Sequence, residues 1–360
     1  MVQRSHVLSH LLFVDDSIFF LRADETNCRR FMHLLNRHCA ATGQLVNHQK
    51  SCLYFSSNTP TERKTIIDSI LGVEGMDNLG NYLGMPTMWW RSKKVAMNYV
   101  KERVKDKISS WKQSSLSLAG KEVLIKAVAT VVPTYPMHCF KFTKGLCDEI
   151  NSELAKFWWG KHDSDAKIHW RSWSALCVPK SEGGLGFRDL NTFNLSLLGK
   201  QAWKLIHDPN TYWAKLIKAR YFPNCEFMNV VAGHCPSWGC VSLLEGREVI
   251  KKNLRHQVFN GLNTKIWQDR WLLPLHHGFV DPLTNVPSNA PQLVSEILDG
   301  QTRTWNTQAI AQFVSQDTIK LIREVPIGNL HMDDRIVCPW NKSGLYSVKF
   351  GGLCFFHQGE

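Results

Sequence analysis

Two adjacent carboxylates near the start of the chain, Asp15 and Asp16, have the residue type and the setting for metal-dependent chemistry. Apolar runs rich in Leu, Val, Ile and Phe lie on both sides of the pair, and such runs are typical of buried strands. Two strands separated only by this pair predict a hairpin that turns at Asp15 and Asp16. Divalent cations prefer carboxylate oxygens, and nucleotidyl transfer by two metal ions uses such a presentation. An ordinary Asp-containing turn explains an isolated pair at least as well, so residues downstream must decide.

The composition is that of a folded, basic protein. The 360 residues allow two or three domains, and 44% hydrophobic with 21% charged residues argues against a disordered chain. The formal net charge of +12 and the pI near 9.2 favour an acidic partner, of which nucleic acid is the commonest. The alternative is a basic protein whose charge only serves solubility.

Eleven scattered cysteines without a CxxC pair predict reduced thiols and an intracellular protein. The apolar stretch that begins at Val7 is interrupted by Asp15 and Asp16, so it predicts neither a signal peptide nor a membrane span. One other cluster suggests a metal, although its spacing fits no standard zinc pattern: Cys225, His234, Cys235 and Cys240.

Helices and strands that must position the hairpin follow it directly. Asp24 and Gly43 are typical first and last caps of a helix that would run between them. A second helix is predicted over 60–72, with Pro at its first position. Strands are predicted over 52–55 and 81–86, the latter broken by Gly and Pro.

A long basic helix is predicted over 93–112. Apolar residues recur along it at helical spacing and form one stripe. Lysines spaced 7, 4 and 7 residues apart form a row beside that stripe, and segment 91–126 carries a net charge of +7. A row of one sign favours a surface that follows a phosphate backbone over a merely solvated face. It therefore predicts nucleic-acid binding by Lys94, Lys101, Lys105 and Lys112.

The rest of the chain is predicted to be mostly helical. Glycines in 183–186 lack the ending of a phosphate loop and predict a tight turn instead. Hairpins are expected near 267–272 and between 335–339 and 345–349, and Pro, Asn and Ser mark a linker at 274–291. Further helices are predicted over 118–132, 146–159, 191–207, 211–221, 245–254 and 291–323.

Aromatic residues on these helices are predicted to be mostly core. Trp203 and Trp213 fall on the apolar sides of their helices. Two pairs of neighbours, Trp170 with Arg171 and Arg220 with Tyr221, could instead stack on unpaired bases. Packing explains these pairs as well, so both interpretations stay open.

Three motifs in this order resemble the reverse transcriptases of plant non-LTR (LINE-type) retrotransposons. They are FVDDS at 13–17, GQLVNHQKS at 43–51 and NYLGMPT at 81–87. Val14 departs mildly from the FADDS motif that is usual in the family. The resemblance continues over essentially the whole chain through LSLAGK at 116–121, FWWG at 157–160, KSEGGLGF at 180–187, ARYF at 219–222, EGRE at 245–248 and WQDRWL at 267–272.

The resemblance implies a predominantly helical α+β fold. An incomplete reverse-transcriptase palm, made of a β-hairpin and helices, is followed by a helical thumb and a helical, Trp-rich C-terminal region. The implied domains are the C-terminal part of the palm at 1–90, a thumb-like helical bundle at 91–160, a Trp- and Gly-rich helical extension at 161–273, the linker at 274–291, and a helical segment with the truncated start of a Cys/His region at 292–360.

The resemblance also implies the site and its partners. Asp15 and Asp16 are the implied catalytic residues and ligands of magnesium, and Gln44 and Lys50 join the lysine row in binding nucleic acid. The implied partners are an RNA template and a DNA primer, with no membrane and with an oligomeric state that stays open. The expected compartment is the nucleus in preference to the cytoplasm.

Polymerases of this family hold two magnesium ions with a third carboxylate from an earlier strand. That strand, the fingers and the endonuclease are expected to lie before residue 1, so magnesium should bind weakly or not at all. The chain is expected to be a truncated reverse transcriptase homologue that is inactive alone, which leaves its status as an enzyme open. Alternatives are a non-catalytic nucleic-acid-binding protein that uses the basic thumb helix, and a degraded fragment without a selected role.

Overall fold

The computed structural model describes residues 8–76, 80–87, 93–111, 116–162, 165–166, 168–233, 236–273, 278–339 and 341–349. About 48% of the chain is helical and the strands are short, which confirms the predominantly helical α+β fold. Among these residues, none of the helices is both long enough and apolar enough to cross a membrane. The chain divides into two compact units, Met1–Tyr99 and Val100–Glu360.

The first unit combines two helices with two small antiparallel hairpins. The helices pack on each other around a small core of Cys28, Ile67 and Leu71. The elements are β1 (His10–Phe13) paired with β2 (Asp16–Phe19), α1 (Glu25–Thr42), α2 (Thr61–Leu71), and β3 (Asn81–Tyr82) paired with β4 (Met85–Pro86).

Local capping fixes the ends of both helices in this unit. The Asp24 carboxylate accepts a hydrogen bond from the N–H of Asn27 at 2.8 Å, and α1 ends at Gly43 with a φ of 72°. Gly72 ends α2 in the same way, with a φ of 66°. Glycine adopts this left-handed conformation without strain. Both predicted helices are therefore confirmed.

Two strand predictions in this unit are wrong. Segment 52–55 makes only a single bridge, between Leu53 and Gly75. Segment 81–86 was expected as one broken strand, but it folds back on itself at Leu83 and Gly84. Both have a positive φ, 51° and 75°, which is the geometry of a tight type I′ hairpin turn.

The second unit contains the remaining helices and further antiparallel strand pairs. The strand pairs are β5 (Lys161–His162) with β6 (Asp165–Ala166), β7 (Arg255–Gln257) with β10 (Arg335–Val337), and β8 (Leu298–Asp299) with β9 (Thr304–Trp305). The helices are most of α3 (Lys93–Ser109), then α4 (Leu118–Leu124), α5 (Thr134–Cys139), α6 (Lys144–Trp159), α7 (Trp173–Cys177), α8 (Leu190–His207), α9 (Tyr212–Tyr221), α10 (Trp238–Asn253) and α11 (Gln316–Glu324).

The apolar stripe predicted on α3 is buried, as expected from its spacing. Its members are Met97, Val100, Val104 and Ile108. The helix predicted over 118–132 is instead interrupted: a π-helical turn at Ile125–Ala129 follows α4, and α5 begins only at Thr134. Such wide turns are typical of places where a side chain must be redirected.

The backbones of α8 and α10 approach each other closely at a pair of glycines. A Cβ on Gly246 would lie 2.4 Å from the carbonyl oxygen of Leu198 and 2.9 Å from the nitrogen of Gly199. A Cβ on Gly199 would lie 2.6 Å from the hydroxyl of Tyr346, which donates a hydrogen bond to the carbonyl of Ser196 at 3.0 Å. Only glycine permits this approach, so the EGRE motif has a packing role.

Buried polar side chains of α8 and α10 hold the segment that joins α5 to α6. The Asn194 amide donates to the carbonyls of Met137 at 2.8 Å and Phe140 at 2.9 Å, and it accepts from the N–H of Phe142 at 2.8 Å. The Ser242 hydroxyl accepts from the N–H of Lys141 at 2.7 Å. These bonds satisfy backbone groups that no helix satisfies, so helices before and after residue 160 belong to one unit.

Several predictions for the last hundred residues are wrong because distant segments pair there. Strand 335–337 pairs with 255–257 instead of with 345–349, and 267–272 forms no hairpin. Of the helix predicted over 291–323, only short 3₁₀ turns and α11 are helical. Residues on both sides of the predicted linker share one core, which includes Trp271, Val294 and Ile322.

The second unit contains four buried thiols among its described residues, and two of them are Cys147 in α6 and Cys177 in α7. Burial raises the pKa of each to about 12, because a thiolate loses its hydration there. Cys225, by contrast, is exposed. The buried pair is therefore chemically inert in the folded chain.

Replacing Gly246 with Ala is expected to lower the free energy of unfolding by about 2–3 kcal/mol, because the new methyl group overlaps the backbone of α8. Urea denaturation followed by far-ultraviolet circular dichroism measures this loss. Gly145→Ala, in the first turn of α6, is the matched control because nothing lies within 4 Å of the added Cβ. An equal loss in both variants contradicts the close approach of α8 and α10.

Candidate functional site

The acidic pair lies at the tip of the β1–β2 hairpin. Phe13 pairs with Asp16, so the turn consists of Val14 and Asp15 and lies one residue earlier than predicted. Val14 has a φ of 49° and is 87% exposed. A positive φ at the first turn position normally requires glycine, and it costs a β-branched residue on the order of 1–3 kcal/mol. The predicted hairpin is confirmed, and its turn is strained.

Asp15 and Asp16 are both exposed and available to a ligand. Within the described residues, neither side chain takes part in a hydrogen bond or an ion pair. No third His, Cys, Asp or Glu of the described chain joins them in a group that could hold a metal. A two-metal site needs carboxylates that bridge both ions. These residues therefore do not by themselves fit a pair of magnesium ions, and we derive no catalytic step through them.

The two strands that carry the acidic pair are exposed, although their apolar sequence predicted burial. Leu12 is 63% exposed, and Phe13 and Phe20 are also largely exposed. Phe19 packs on Phe31 of α1, with 4.9 Å between the ring centroids. The burial prediction is wrong because, in the described chain, each strand pairs only with the other. A two-stranded sheet cannot cover both of its own faces.

Gln44 and Lys50 are both exposed on the segment after α1. This segment is held by a turn at Asn47, whose carbonyl accepts hydrogen bonds from the N–H of Lys50 at 3.2 Å and the hydroxyl of Ser51 at 2.9 Å. Neither the Gln44 side chain nor the Lys50 side chain takes part in these hydrogen bonds. Their predicted contact with nucleic acid stays a prediction.

The structure gives the members of the lysine row on α3 different surroundings. The ammonium of Lys101 lies 2.7 Å from the Glu149 carboxylate, and this hydrogen bond raises the pKa of Lys101. Lys105 lies 3.8 Å from Glu102. Lys112 and the side chain of Lys94 lie outside the described residues. Lys107, which the spacing argument left out, is exposed on the same helix.

A second acidic pair, Asp333 and Asp334, has a structural role because its carboxylates accept hydrogen bonds from a nearby loop. Asp334 accepts hydrogen bonds from four donors of one loop: the N–H groups of Phe259, Gly261 and Asn263 and the hydroxyl of Thr264, at 2.6–3.3 Å. Asp333 accepts one bond, from the Asn260 side chain at 2.9 Å. The sequence did not identify this pair as a site. The acceptor atoms of Asp334 are occupied mainly by backbone N–H groups.

The predicted tight turn at 183–186 is confirmed and is tied to the π-helical turn that follows α4. A Cβ on Gly184 would lie 1.9 Å from the carbonyl oxygen of Val178. The ammonium of Lys126, carried by the π-helical turn, donates to the carbonyl of Leu185 at 2.6 Å. Lys126 also donates to Glu122 at 2.8 Å. The GGLGF motif therefore has a packing role, in which Gly184 lies against Val178 and the Leu185 carbonyl accepts a hydrogen bond from Lys126.

Glu122 lies between two lysines. Its carboxylate is 2.8 Å from the ammonium of Lys126 and 2.8 Å from that of Lys180. These two hydrogen bonds, with that of Lys126 the stronger influence, lower the pKa of Glu122 to about 2. The charged carboxylate is thus the stable form in the folded chain over all ordinary pH values.

Aromatic residues near this loop divide between core and surface. Phe157 and Trp158 are buried as predicted, and Phe187 packs against Trp158 with 5.2 Å between ring centroids. Trp170 is 77% exposed, while its neighbour Arg171 donates to the carbonyl of Gly183 at 2.7 Å. Arg171 is therefore occupied by the loop, which weakens stacking on bases by this pair.

Of the cluster that suggested zinc, Cys225 is exposed and Cys240 is buried. His234 and Cys235 lie outside the described residues. Among the described residues, no group of three or more His, Cys, Asp or Glu could hold a metal ion, so the zinc prediction gains no support from the described part of this cluster.

Comparison with known proteins gives two plant relatives, while no family model matches the chain. Over 143 residues the chain is 41% identical to "Uncharacterized mitochondrial protein AtMg00310" of Arabidopsis thaliana, which covers 39% of the chain and 93% of that relative. Over 275 residues it is 25% identical to "Putative ribonuclease H protein At1g65750" of the same species, which covers 74% of the chain and 43% of that relative. The chain thus spans less than half the length of the second relative.

These relatives identify the chain as a plant retroelement-related protein. They confirm the broad origin implied by the motifs. The assignment to a reverse transcriptase of the non-LTR type is finer than either relative's name and stays a prediction.

Asp334→Ala is expected to lower the free energy of unfolding by about 3 kcal/mol, because several loop donors lose their acceptor at once. Asp333→Ala is the matched control, since its carboxylate has a single exposed partner, and we expect a loss below about 1 kcal/mol. Urea denaturation of the two variants checks the difference. Similar losses would contradict the assignment of Asp334 as the acceptor that holds the loop.

Glu122→Gln is expected to reduce stability in a pH-dependent way. The folded-state pKa, about 2, lies below the ordinary value of 4.5, so the stabilisation is fully present above about pH 4.5 and is lost as the pH falls through about 2. The difference in unfolding free energy between the natural chain and the variant should therefore shrink over that range. Glu182→Gln, at an exposed position of the same loop, should show no such trend.

Proposed function

We propose that this chain, which belongs to the same family as the Arabidopsis mitochondrial protein, is a homologue of the RNA-directed DNA polymerase of a plant non-LTR retrotransposon. We further propose that it binds a template–primer duplex and does not extend it alone. The observation that carries the proposal is the hairpin tip, where Asp15 and Asp16 lie exposed beside the strained Val14.

The arrangement of this tip supports a ligand-binding role for the acidic pair. Strained backbone conformations cluster at functional sites, and the positive φ of Val14 is such a conformation. An acidic pair with a structural role is occupied by donors, as Asp334 is. Asp15 and Asp16 have no such donors in the described chain, so their lone pairs are free for a cation or a water.

The same geometry supports an inactive polymerase. The described residues provide two carboxylates and no third, whereas transfer of a nucleotide requires charge stabilisation on both the attacking and the leaving oxygen. Loss of such stabilisation commonly lowers the rate by orders of magnitude. We therefore assign binding, and not synthesis, to the chain by itself.

Duplex binding is assigned to the basic face of α3. Phosphate contacts by lysines fix a duplex without reading its sequence. Lys101 is paired with Glu149 at 2.7 Å, so Lys105, whose contact with Glu102 is longer at 3.8 Å, should attract phosphate more strongly than Lys101. Gln44 and Lys50, which lie in the first unit, are proposed to contact nucleic acid independently of α3.

A second candidate is a nucleic-acid-binding protein in which the acidic hairpin has no role. The charge of α3 favours it, because that charge acts without Asp15 and Asp16. The two candidates differ in one measurable respect. Only the reverse transcriptase homologue is expected to bind the duplex more tightly in magnesium. The variant Asp15→Asn with Asp16→Asn should remove that magnesium dependence.

The test incubates the full chain with an RNA template annealed to a DNA primer, nucleotides and magnesium. We expect no primer extension, together with duplex binding that weakens as salt rises. Lys94→Gln with Lys105→Gln, two members of the predicted row, should reduce the slope of log affinity against log salt by up to about 1.8, since each phosphate contact contributes about 0.9. Fluorescence anisotropy of a labelled duplex measures this slope.

The charge-matched control is Lys144→Gln with Lys342→Gln, at exposed positions outside α3. It should bind the duplex as the natural chain does. Extension that depends on Asp15 and Asp16 would overturn the assigned inactivity. Duplex binding that is unchanged in the α3 variant, or absent from the natural chain, would overturn the proposed function.

A further inference from the structure

A regular stripe of exposed residues runs along α4, the π-helical turn and α5. Its members recur at every fourth position of the chain, and buried residues recur at every fourth position between them, from Lys121 to Met137. Because the two sets are offset by two positions, about half a turn, they lie on opposite faces of the helical path. The exposed stripe consists of Ala119, Val123, Ala127, Val131 and Tyr135.

The π-helical turn keeps this stripe on one face. In a regular α-helix, each step of four residues rotates about 40° beyond a full turn, so a stripe of this length would spread over about 160°. A π-helical turn is wider, and a step of four residues there falls short of a full turn. The N–H of Thr130 donates to the carbonyl of Ile125, five residues back, at 3.0 Å. The correction to the rotation therefore lies in the middle of the stripe.

The exposed stripe is apolar and uncharged. Val123 is 61% exposed and Val131 is 51% exposed. The neighbouring charges are already compensated, because the carboxylate of Glu122 lies 2.8 Å from the ammonium groups of both Lys126 and Lys180. Covering the stripe therefore removes apolar surface from water without leaving an unpaired charge at the contact.

The order of side-chain sizes along the stripe is self-complementary. If two copies lie nearly antiparallel about a two-fold axis at Ala127, Val123 of one copy lies opposite Val131 of the other. The same axis places Ala119, a small residue, opposite Tyr135, the largest of the stripe. The small Ala127 at the centre permits a close approach of the two helices. An isologous contact requires such a match of one surface with itself.

We infer that this stripe is a contact surface for a second copy of the chain, related to the first by a two-fold axis. From Ala119 to Tyr135 the stripe is about 25 Å long and about 10–12 Å wide, so the contact buries on the order of 300 Å² per copy. A stable dimer buries about 800 Å² per copy. The dimer is therefore reversible, with a dissociation constant on the order of 10–100 μM.

The test measures the mass of the full chain by sedimentation equilibrium from about 1 to 300 μM, a range that spans the expected dissociation constant. About 0.5 M salt suppresses bridging by nucleic acid. The mass of the natural chain should rise from that of a monomer towards that of a dimer. Ala127→Glu places like charges against each other on the axis, so it should raise the dissociation constant at least about tenfold.

A pair of charge variants tests the antiparallel register. Val123→Glu alone and Val131→Lys alone should each weaken the dimer, because each buries a charge against an apolar residue. Both substitutions in one chain should restore most of the dimerisation, since each glutamate then lies opposite a lysine of the second copy. A parallel arrangement would instead oppose like charges, and the double variant would stay monomeric.

The matched control is Val231→Glu, at an exposed valine outside the stripe, which should dimerise as the natural chain does. Melting temperatures confirm that each variant is folded. A natural chain that stays monomeric over the whole range would overturn the inference. So would a dimer that is unchanged by Ala127→Glu, an equal loss in the control, or a double variant that remains monomeric. The inference does not rest on the proposed function, because the mass is measured without a nucleic acid.

Discussion

The contact between the backbones of α8 and α10 is the constraint on which the second unit depends. With Gly199 and Gly246 at the contact, no side chain separates the two helices, and neither helix can slide without a clash. Other segments take their positions from this pair. Tyr346 reaches it from far along the chain and bonds to Ser196. Buried Arg247, next to Gly246, donates to the carbonyls of Phe227 and Val230.

Polar side chains hold the irregular segments around these helices in place through hydrogen bonds to the backbone. Asn194 and Asp334 each satisfy several backbone groups, and Lys126 fixes the loop of glycines. Buried polar groups are almost always paired in this way. A polar residue without a partner is therefore the more informative feature for function. By this criterion the hairpin tip at Asp15 and Asp16 differs from the second acidic pair, in which Asp334 is occupied by donors.

The sequence predicted well what is decided locally and poorly what distant segments decide. Asp24 and Gly43 define α1 because each acts within one turn of its own position. The pairing of 255–257 with 335–337 has no local signal, since about 80 residues separate the strands. The site shows the same division. The hairpin at Asp15 and Asp16 follows from its own residues, while its exposure depends on which strands lie beside it.

Identical residue types also proved insufficient to identify a site. Two Asp–Asp pairs occur in contexts that both include apolar neighbours, yet only one of them is occupied by backbone donors. Trp213 and Trp203 both follow helical spacing, yet Trp203 is buried and Trp213 is not. The three-dimensional surroundings separate these cases, because they determine whether neighbouring residues already contact the polar or aromatic side chain.

The buried thiols of the second unit have a practical consequence. Burial raises the pKa of Cys147 and of Cys177 to about 12, and it thereby disfavours the thiolate, which is the species that alkylating reagents attack. Cys147 and Cys177 thus become modified only when their helices separate from the core, while exposed Cys225 reacts at once. The delay between alkylation of exposed Cys225 and alkylation of buried Cys147 and Cys177 therefore reports how often this unit opens.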